Sequence, residues 1–289
     1  VIYITLIMAG FWRDSSRAGI VSVAILANLG LSRFILELGG TDLFGENALL
    51  VGLLPNLLPV AFASMIVMTT VGPRMATLTA LMTSIFHASM QNAGIDVFAT
   101  GFSSALVGAF FCREVRLRGA ALKAGALAGL TAAVMAVGLG IASGSGALAS
   151  INHAGISLLI GVFTGALVLG AMPLMENVFK VATDATLFEL TDFNHPLLRK
   201  MQIEAPGSYH HSLMVANLSE NAAIAVGANP ILCRAASLFH DIGKMSQPHY
   251  FTENQGEFDN PHDQKNPSMS ALIIKSHIKE GIDMAREHR

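Results

Sequence analysis

Two cysteines, Cys112 and Cys233, are all that this 289-residue chain contains. That is too few for a disulfide framework and fits a reducing compartment. Charge is scarce as well: Asp, Glu, Lys and Arg make up 13% of residues, about half the share in an average soluble domain. A net charge of −2 gives no electrostatic reason to expect a nucleic acid polymer as partner. No alternation of apolar and polar residues marks a β-strand, so the chain reads as all-α. No ladder of acidic residues crosses the apolar stretches, which argues against an ion or substrate path.

What is present is apolar: 52% of residues are hydrophobic. The polar remainder is unevenly spread. Residues 1–179 hold 15 of the 38 charged side chains and residues 180–289 hold 23, while seven of the ten histidines follow Tyr209. The expectation is two bodies, a lipid-soluble one over 1–179 and a polar, His-rich one over 209–289, with 180–208 as linker or first element of the second. Val1 opens the chain in mid-span and Arg289 closes it inside a helix-like pattern, so a piece of a longer protein is expected. Residues 1–12 lack the basic start and small-residue cleavage site of a secretory signal.

A bilayer core takes about 20 apolar residues of helix. Seven spans are predicted, at 1–12, 18–37, 48–71, 73–92, 97–112, 120–142 and 155–178. Pro55 and Pro59 fall in the third, which needs neighbouring groups to satisfy the freed backbone or begins as a re-entrant segment. The loops alternate in charge. One set holds Arg13 and Arg17, then Arg74, then Arg113, Arg116, Arg118 and Lys123, then Lys180. The other holds Glu37, Asp42 and Glu46, then Asp96, then the uncharged SGSGALAS. By the positive-inside rule the basic set, and with it the His-rich part, lies in the cytoplasm. Arg33 and His87 sit near span ends and are expected to reach out to the interface. Gly125/Gly129 and Gly161/Gly165 are small-xxx-small spacings that let helices approach closely. Packing within the bundle is the favoured reading; a homodimer face is the alternative.

In the polar part, Leu187, Leu190, Phe193, Leu197, Leu198 and Met201 suggest a partly helical apolar face interrupted by Pro196, favoured as the domain's first packed helix. A helix is expected from Tyr209 to the Gly227 region, with Leu213, Ala216, Leu218, Ala222 and Ala223 inward. Asn229 and Pro230 open a second helix that leads to His240-Asp241. Residues 245–266 read as loop, and Pro267-Ser268 open a third helix carrying His277. His211, His240, Asp241 and His277 could converge as a metal site: imidazole nitrogen and carboxylate without thiolate suit Mn or Fe, and two such ions can activate water for in-line attack on phosphorus. Lys244 is placed to meet a phosphate as a point charge. His210 is ambiguous beside His211, which the His-Ser-Leu-x-Val-Ala pattern puts on the inner face. His249 and His262 are expected in a solvated loop, and His288 on the surface.

The segments NHPLLRKMQIEAPGSYHHS, YHHSLMVANLSE, SLFHDIGKM and NPHDQKNPSMSALIIKSHIKEG resemble the HD-domain phosphohydrolases, specifically the seven-transmembrane HD receptor family, to which the PgpH-type cyclic di-AMP phosphodiesterases belong. The resemblance implies a seven-helix transmembrane bundle followed by an incomplete α-helical HD domain. It implies His211, His240, Asp241 and His277 as metal ligands, Asp241 as the bridging one, two divalent ions (Mn or Fe), and Asp241 with Lys244 as catalytic residues. Lys244 and His210 would bind substrate. A paired His motif and a final Asp would follow Arg289, and an extracytoplasmic domain with an unknown ligand would precede the spans. The expected function is hydrolysis of a cyclic dinucleotide, cyclic di-AMP to pApA, at the bacterial inner membrane. Rival readings are another nucleotide or phosphoester, and a degenerate HD receptor that only binds nucleotide.

Overall fold

The computed structural model describes residues 15–39, 54–113, 119–144, 146–256 and 260–288. Among the described residues every regular element is helical, and the chain divides into two compact units, Val1–Ala185 and Thr186–Arg289.

The first unit contains α1 (Ser15–Leu38), a 3-10 turn at Leu54–Leu57, α2 (Phe62–Thr70), α3 (Pro73–Met90), α4 (Ile95–Phe111), α5 (Gly119–Ala142) and α6 (Ala147–Phe179). Its interior is built mainly from small residues and methionine, among them Ala24, Ala76, Ala121, Ala124, Met65 and Met172. Large apolar side chains such as Leu26, Phe34, Phe110, Val134 and Leu159 face outward. In water that arrangement would be unstable; in lipid, where packing rather than hydrophobicity joins helices, it is the expected one. The α5–α6 contact is the most extensive in the unit. Gly125 and Gly129 face Gly161 and Gly165 so closely that a Cβ on any of them would overlap the opposite backbone. The small-xxx-small pairs therefore pack two helices of one chain.

Seven continuous spans are not what the described residues contain. Three helices are long and apolar enough to cross a membrane, Ser15–Leu38, Gly119–Ala142 and Ala147–Phe179, with Ile95–Phe111 a shorter apolar helix. Pro73–Met90 carries Arg74, His87 and several hydroxyl residues, which lower its apolarity. The span expected at 48–71 is broken. The 3-10 turn containing Pro55 ends at Leu57, Pro59 lies in the connection, and the helix starts at Phe62. The backbone freed by the break is satisfied in part from a neighbour: Asn28 Nδ2 of α1 donates to the Pro59 carbonyl at 2.7 Å. The expected span 1–12 lies outside the described residues.

His87 does not reach the interface as expected. It is 1% exposed, with Nε2 2.6 Å from Ser32 Oγ and Nδ1 2.6 Å from the Thr83 carbonyl. Two ready partners in the bundle make burial affordable for the imidazole. Arg33 does stay outside, exposed and paired with Glu37 at 2.8 Å.

The second unit contains α8 (Pro196–Glu204), α9 (Pro206–Val226), α10 (Pro230–Phe239), three 3-10 turns between Ile242 and Asn254, and α11 (Pro267–Glu287); α7 (Asp184–Leu190) straddles the division. Pro196 opens a helix at its first position, with His195 Nδ1 accepting from Leu197 N–H. Leu197, Leu198 and Met201 are buried in a core with Tyr209, Ala216, Leu238 and Ile242. Leu218, expected inward, is 68% exposed. The buried stripe of α9 instead runs through Tyr209, Ser212, Ala216 and Ala223.

Candidate metal centre

The end of α10 and the turn after it, the second turn of α9 and the middle of α11 carry the site. Asn229 caps α10, its Oδ1 accepting from Ile231 and Leu232 N–H. The helix buries Ile231, Ala235 and Leu238 at i, i+4 and i+7, and ends at Phe239. His240 still has helical dihedrals, but Asp241 leaves them at φ −113°, ψ 16°, and a 3-10 turn over Ile242–Ser246 follows. That change of direction points adjacent side chains at one spot. α9 supplies His211 and α11 supplies His277. Gly243 fixes how closely α11 approaches, because a Cβ there would overlap the His277 carbonyl and the Gly281 nitrogen.

The focus is the Asp241 carboxylate, 5% exposed. His240 Nε2 lies 3.1 Å and His211 Nε2 3.9 Å from Oδ2, and His277 Nε2 lies 3.6 Å from Oδ1. Lys244 Nζ is 2.8 Å from Oδ2. All four residues expected as metal ligands are thus brought together, with Lys244 beside them. His211, His240 and Asp241 can each offer a ligand atom within 4.8 Å of the others. His210 is exposed, its ring against Tyr209, and it makes none of these contacts.

The tautomers follow from the backbone. His240 Nδ1 lies 2.7 Å from the Ser237 carbonyl, and His277 Nδ1 is bonded to the Ile274 carbonyl. A carbonyl only accepts, so both Nδ1 atoms carry hydrogen and each neutral ring aims an Nε2 lone pair at Asp241. Lone pairs facing a carboxylate call for a cation between them, which a proton or a metal ion can be. The hydrogen bond to Asp241 raises the His240 pKa, and burial only partly opposes it. Burial alone would raise the Asp241 carboxyl, but hydrogen bonds from His240 and Lys244 win and hold it well below the usual carboxylate range. The donor set, three imidazoles and a carboxylate without thiolate, fits a borderline or hard divalent ion such as Mn or Fe.

Several residues that sequence reasoning passed over complete the site. Glu253 Oε1 is 2.7 Å from Lys244 Nζ and accepts from Ser208 Oγ at 2.8 Å. Ser208 N–H donates to Asn254 Oδ1 at 3.0 Å, and a Cβ on Gly207 would overlap the Glu253 carbonyl. Burial works to lower the Lys244 pKa, but its two carboxylate partners win and raise it. Phe251 lies under Lys244, 4.9 Å from Nζ to ring centroid, and meets His277 edge-on. The signal was thin: an acidic residue and an aromatic inside a polar, Pro-rich stretch. His262, expected to be solvated, is held by the Tyr250 carbonyl at 2.9 Å and packs on the Tyr250 ring. Its Tyr250 contacts explain the difference, since they tie the loop end down. His249 and His288 are exposed as expected.

Comparison with known proteins gives a consistent set of likenesses. The family described as 7TM receptor with intracellular HD hydrolase matches residues 1–183, and the HD domain family matches residues 208–289. Cyclic-di-AMP phosphodiesterase PgpH of Bacillus subtilis is 36% identical over 243 residues, covering 81% of this chain and 34% of that protein. PgpH of Listeria monocytogenes is 36% identical over 238 residues, covering 80% of this chain and 33% of its own length. The chain thus spans about a third of these relatives. A crystal structure of the L. monocytogenes PgpH HD domain in complex with cyclic di-AMP is 51% identical, covering 33% of this chain and 45% of that one, with a TM-score of 0.32.

Proposed function

From a chain that belongs to the family of 7TM receptors with an intracellular HD hydrolase, we propose a membrane-anchored, metal-dependent phosphodiesterase that hydrolyses cyclic di-AMP to pApA. Its place is the bacterial inner membrane, with residues 209–289 forming part of a cytoplasmic HD domain and 180–208 joining it to the spans. The 36% identity to two cyclic-di-AMP phosphodiesterases supports the substrate. The observation that carries the reading is the convergence of His211, His240 and His277 Nε2 on the Asp241 carboxylate, 3.1–3.9 Å away.

His211, His240, Asp241 and His277 would hold divalent metal, two ions in the full site. Bound there, Mn or Fe ions supply Lewis acidity for water activation and charge for the phosphoryl oxygens. The chain's own residues prepare the rest. The Ser237 and Ile274 carbonyls fix the rings of His240 and His277 so that no rotamer search precedes ligation. Lys244, held from two sides by Asp241 and Glu253, offers a fixed positive charge to a phosphate. In the overall reaction an O–P bond forms from water, one P–O3′ bond breaks, and the 3′ oxygen leaves with a proton. One linear dinucleotide with a 5′ phosphate results.

The test is turnover by the purified full-length protein loaded with Mn and given cyclic di-AMP, beside Asp241→Ala. Formation of pApA, abolished by the substitution, is the expected outcome. Metal binding without turnover would replace the substrate by another phosphoester. Failure to bind metal would leave a receptor that only binds nucleotide.

A further inference from the structure

The membrane unit holds an open-sided cavity of about 270 Å³, lined by α3, α4, α5, α6 and the segment 56–61. We propose that it is a binding site for a small organic cation, a protonated amine on an apolar body. Most of the wall is apolar, as at Ala132, Leu139 and Ile160. Against this stand Asn56, His87, Gln91, Asp96, His153 and Ser157, an expensive set of polar groups to gather in a membrane bundle.

The polar groups have a definite sense. Asn56 Nδ2 lies 2.5 Å from His153 Nδ1, and Ser157 Oγ donates to Asn56 Oδ1 at 3.5 Å. These contacts tie Asn56, His153 and Ser157 into one polar group on the wall. Gln91 Oε1 is buried and without a partner among the described residues. A bound donor would satisfy this orphan acceptor. Asp96, on the first turn of α4, has no ion pair among the described residues, and no Lys or Arg lines the cavity. Asp96 is the one carboxylate on the wall, and the Gln91 carbonyl oxygen is an acceptor still to be filled. An anionic ligand would meet Asp96 with nothing to offset it. A metal ion is also a poor occupant, since among the described residues the ligand-type side chains converge in the other unit and not here.

Size narrows the ligand further. A cavity of about 270 Å³ has room for a small organic body such as a single substituted ring. α6, which contributes His153, Ser157 and Ile160, continues unbroken to Phe179. A ligand here would touch the helix that directly precedes residues 180–208 in the sequence.

Benzylamine, benzyl alcohol and benzoate share one body and differ in charge, so they make a matched set of probes. Binding of each to the full-length protein in lipid nanodiscs would be followed by saturation-transfer NMR. Saturable binding of benzylamine is expected, with benzyl alcohol weaker and benzoate silent. Asp96→Asn, a change at an exposed position, should weaken benzylamine at least tenfold and leave benzyl alcohol unchanged. Ala132→Phe, which fills the cavity, should abolish both. Equal binding of benzoate, no saturable benzylamine binding, or benzylamine binding untouched by Asp96→Asn would overturn the proposal. Turnover of cyclic di-AMP by the same preparation is an independent readout, so either reading can fail alone.

Discussion

At the scale of the residue, the centre is a set of charges that hold one another. Lys244 sits between Asp241 and Glu253, 2.8 and 2.7 Å away, and Ser208 holds Glu253 in turn. Glu253→Gln keeps the shape of that arrangement and removes one charge. Turnover should fall about 10–100-fold, the range found when groups that orient a metal site are altered. Steady-state kinetics and Mn titration on the same variant check this, and a loss confined to Mn affinity would refute it. Titration gives a second expectation. The His240 pKa is raised, so the metal-free protein gains stability from its pairing below the ordinary value of about 6.5 and loses it as pH rises through the folded value. Asp241 is depressed, so its share is present above about 3.9 and lost only as pH falls through a much lower value. Metal must displace the His240 proton, so its affinity should rise with pH over the window where metal-free stability declines. Thermal unfolding from pH 6 to 8, with and without Mn, should show slopes of opposite sign; parallel slopes would remove His240 from the metal site.

At the scale of the element, the approach of α11 to the turn after Asp241 decides whether His277 reaches the centre. Gly243 sets that distance, and Gly281 lies on the other side of the contact. Gly243→Ala should push α11 outward and cost about 1–3 kcal/mol, as added volume in a packed contact does. Mn affinity should fall with it through displacement of His277; a stable variant with native affinity would show that the helix has slack. The sequence allowed much of this unit to be read. Asn229-Pro230 and Pro267-Ser268 announce helix starts, and Asn229 does cap its helix; the Asn266 cap before Pro267 was not read from the sequence. The four ligand-type residues were legible because each stands where a helix periodicity ends or turns inward. Glu253, Phe251 and Ser208 were not, because their roles come from contacts between separate elements, such as Ser208–Glu253 and Phe251–His277, and no local pattern encodes those. The break at Pro59 was flagged by the proline, yet its remedy, an amide from Asn28, depends on a neighbouring helix that periodicity does not identify.

At the scale of the whole molecule, the open question is which side of the bilayer each end of the bundle faces. Apolarity told that residues 1–179 belong in lipid, but it could not tell continuous spans from broken ones, because 48–71 is equally apolar in either case. Charge is the better guide to direction. Gln91, Asp96, Leu139 and His153 border one cavity, so the connections between α3 and α4 and between α5 and α6 lie at one end of the bundle. The helix ends nearest Arg74, Arg113 and Lys180 are the opposite ends of those same helices. Cations concentrate there, and cytoplasmic loops retain Lys and Arg. Cysteine scanning in intact cells tests the direction, in a background where Cys112 and Cys233 are changed to Ser. Ser143→Cys should react with a membrane-impermeant maleimide from outside. Lys180→Cys should react only after the cells are permeabilised. The reverse pattern would put His211, His240, Asp241 and His277 on the outer side, away from any cytoplasmic dinucleotide. The proposed substrate would then have to be abandoned even if the metal centre were intact.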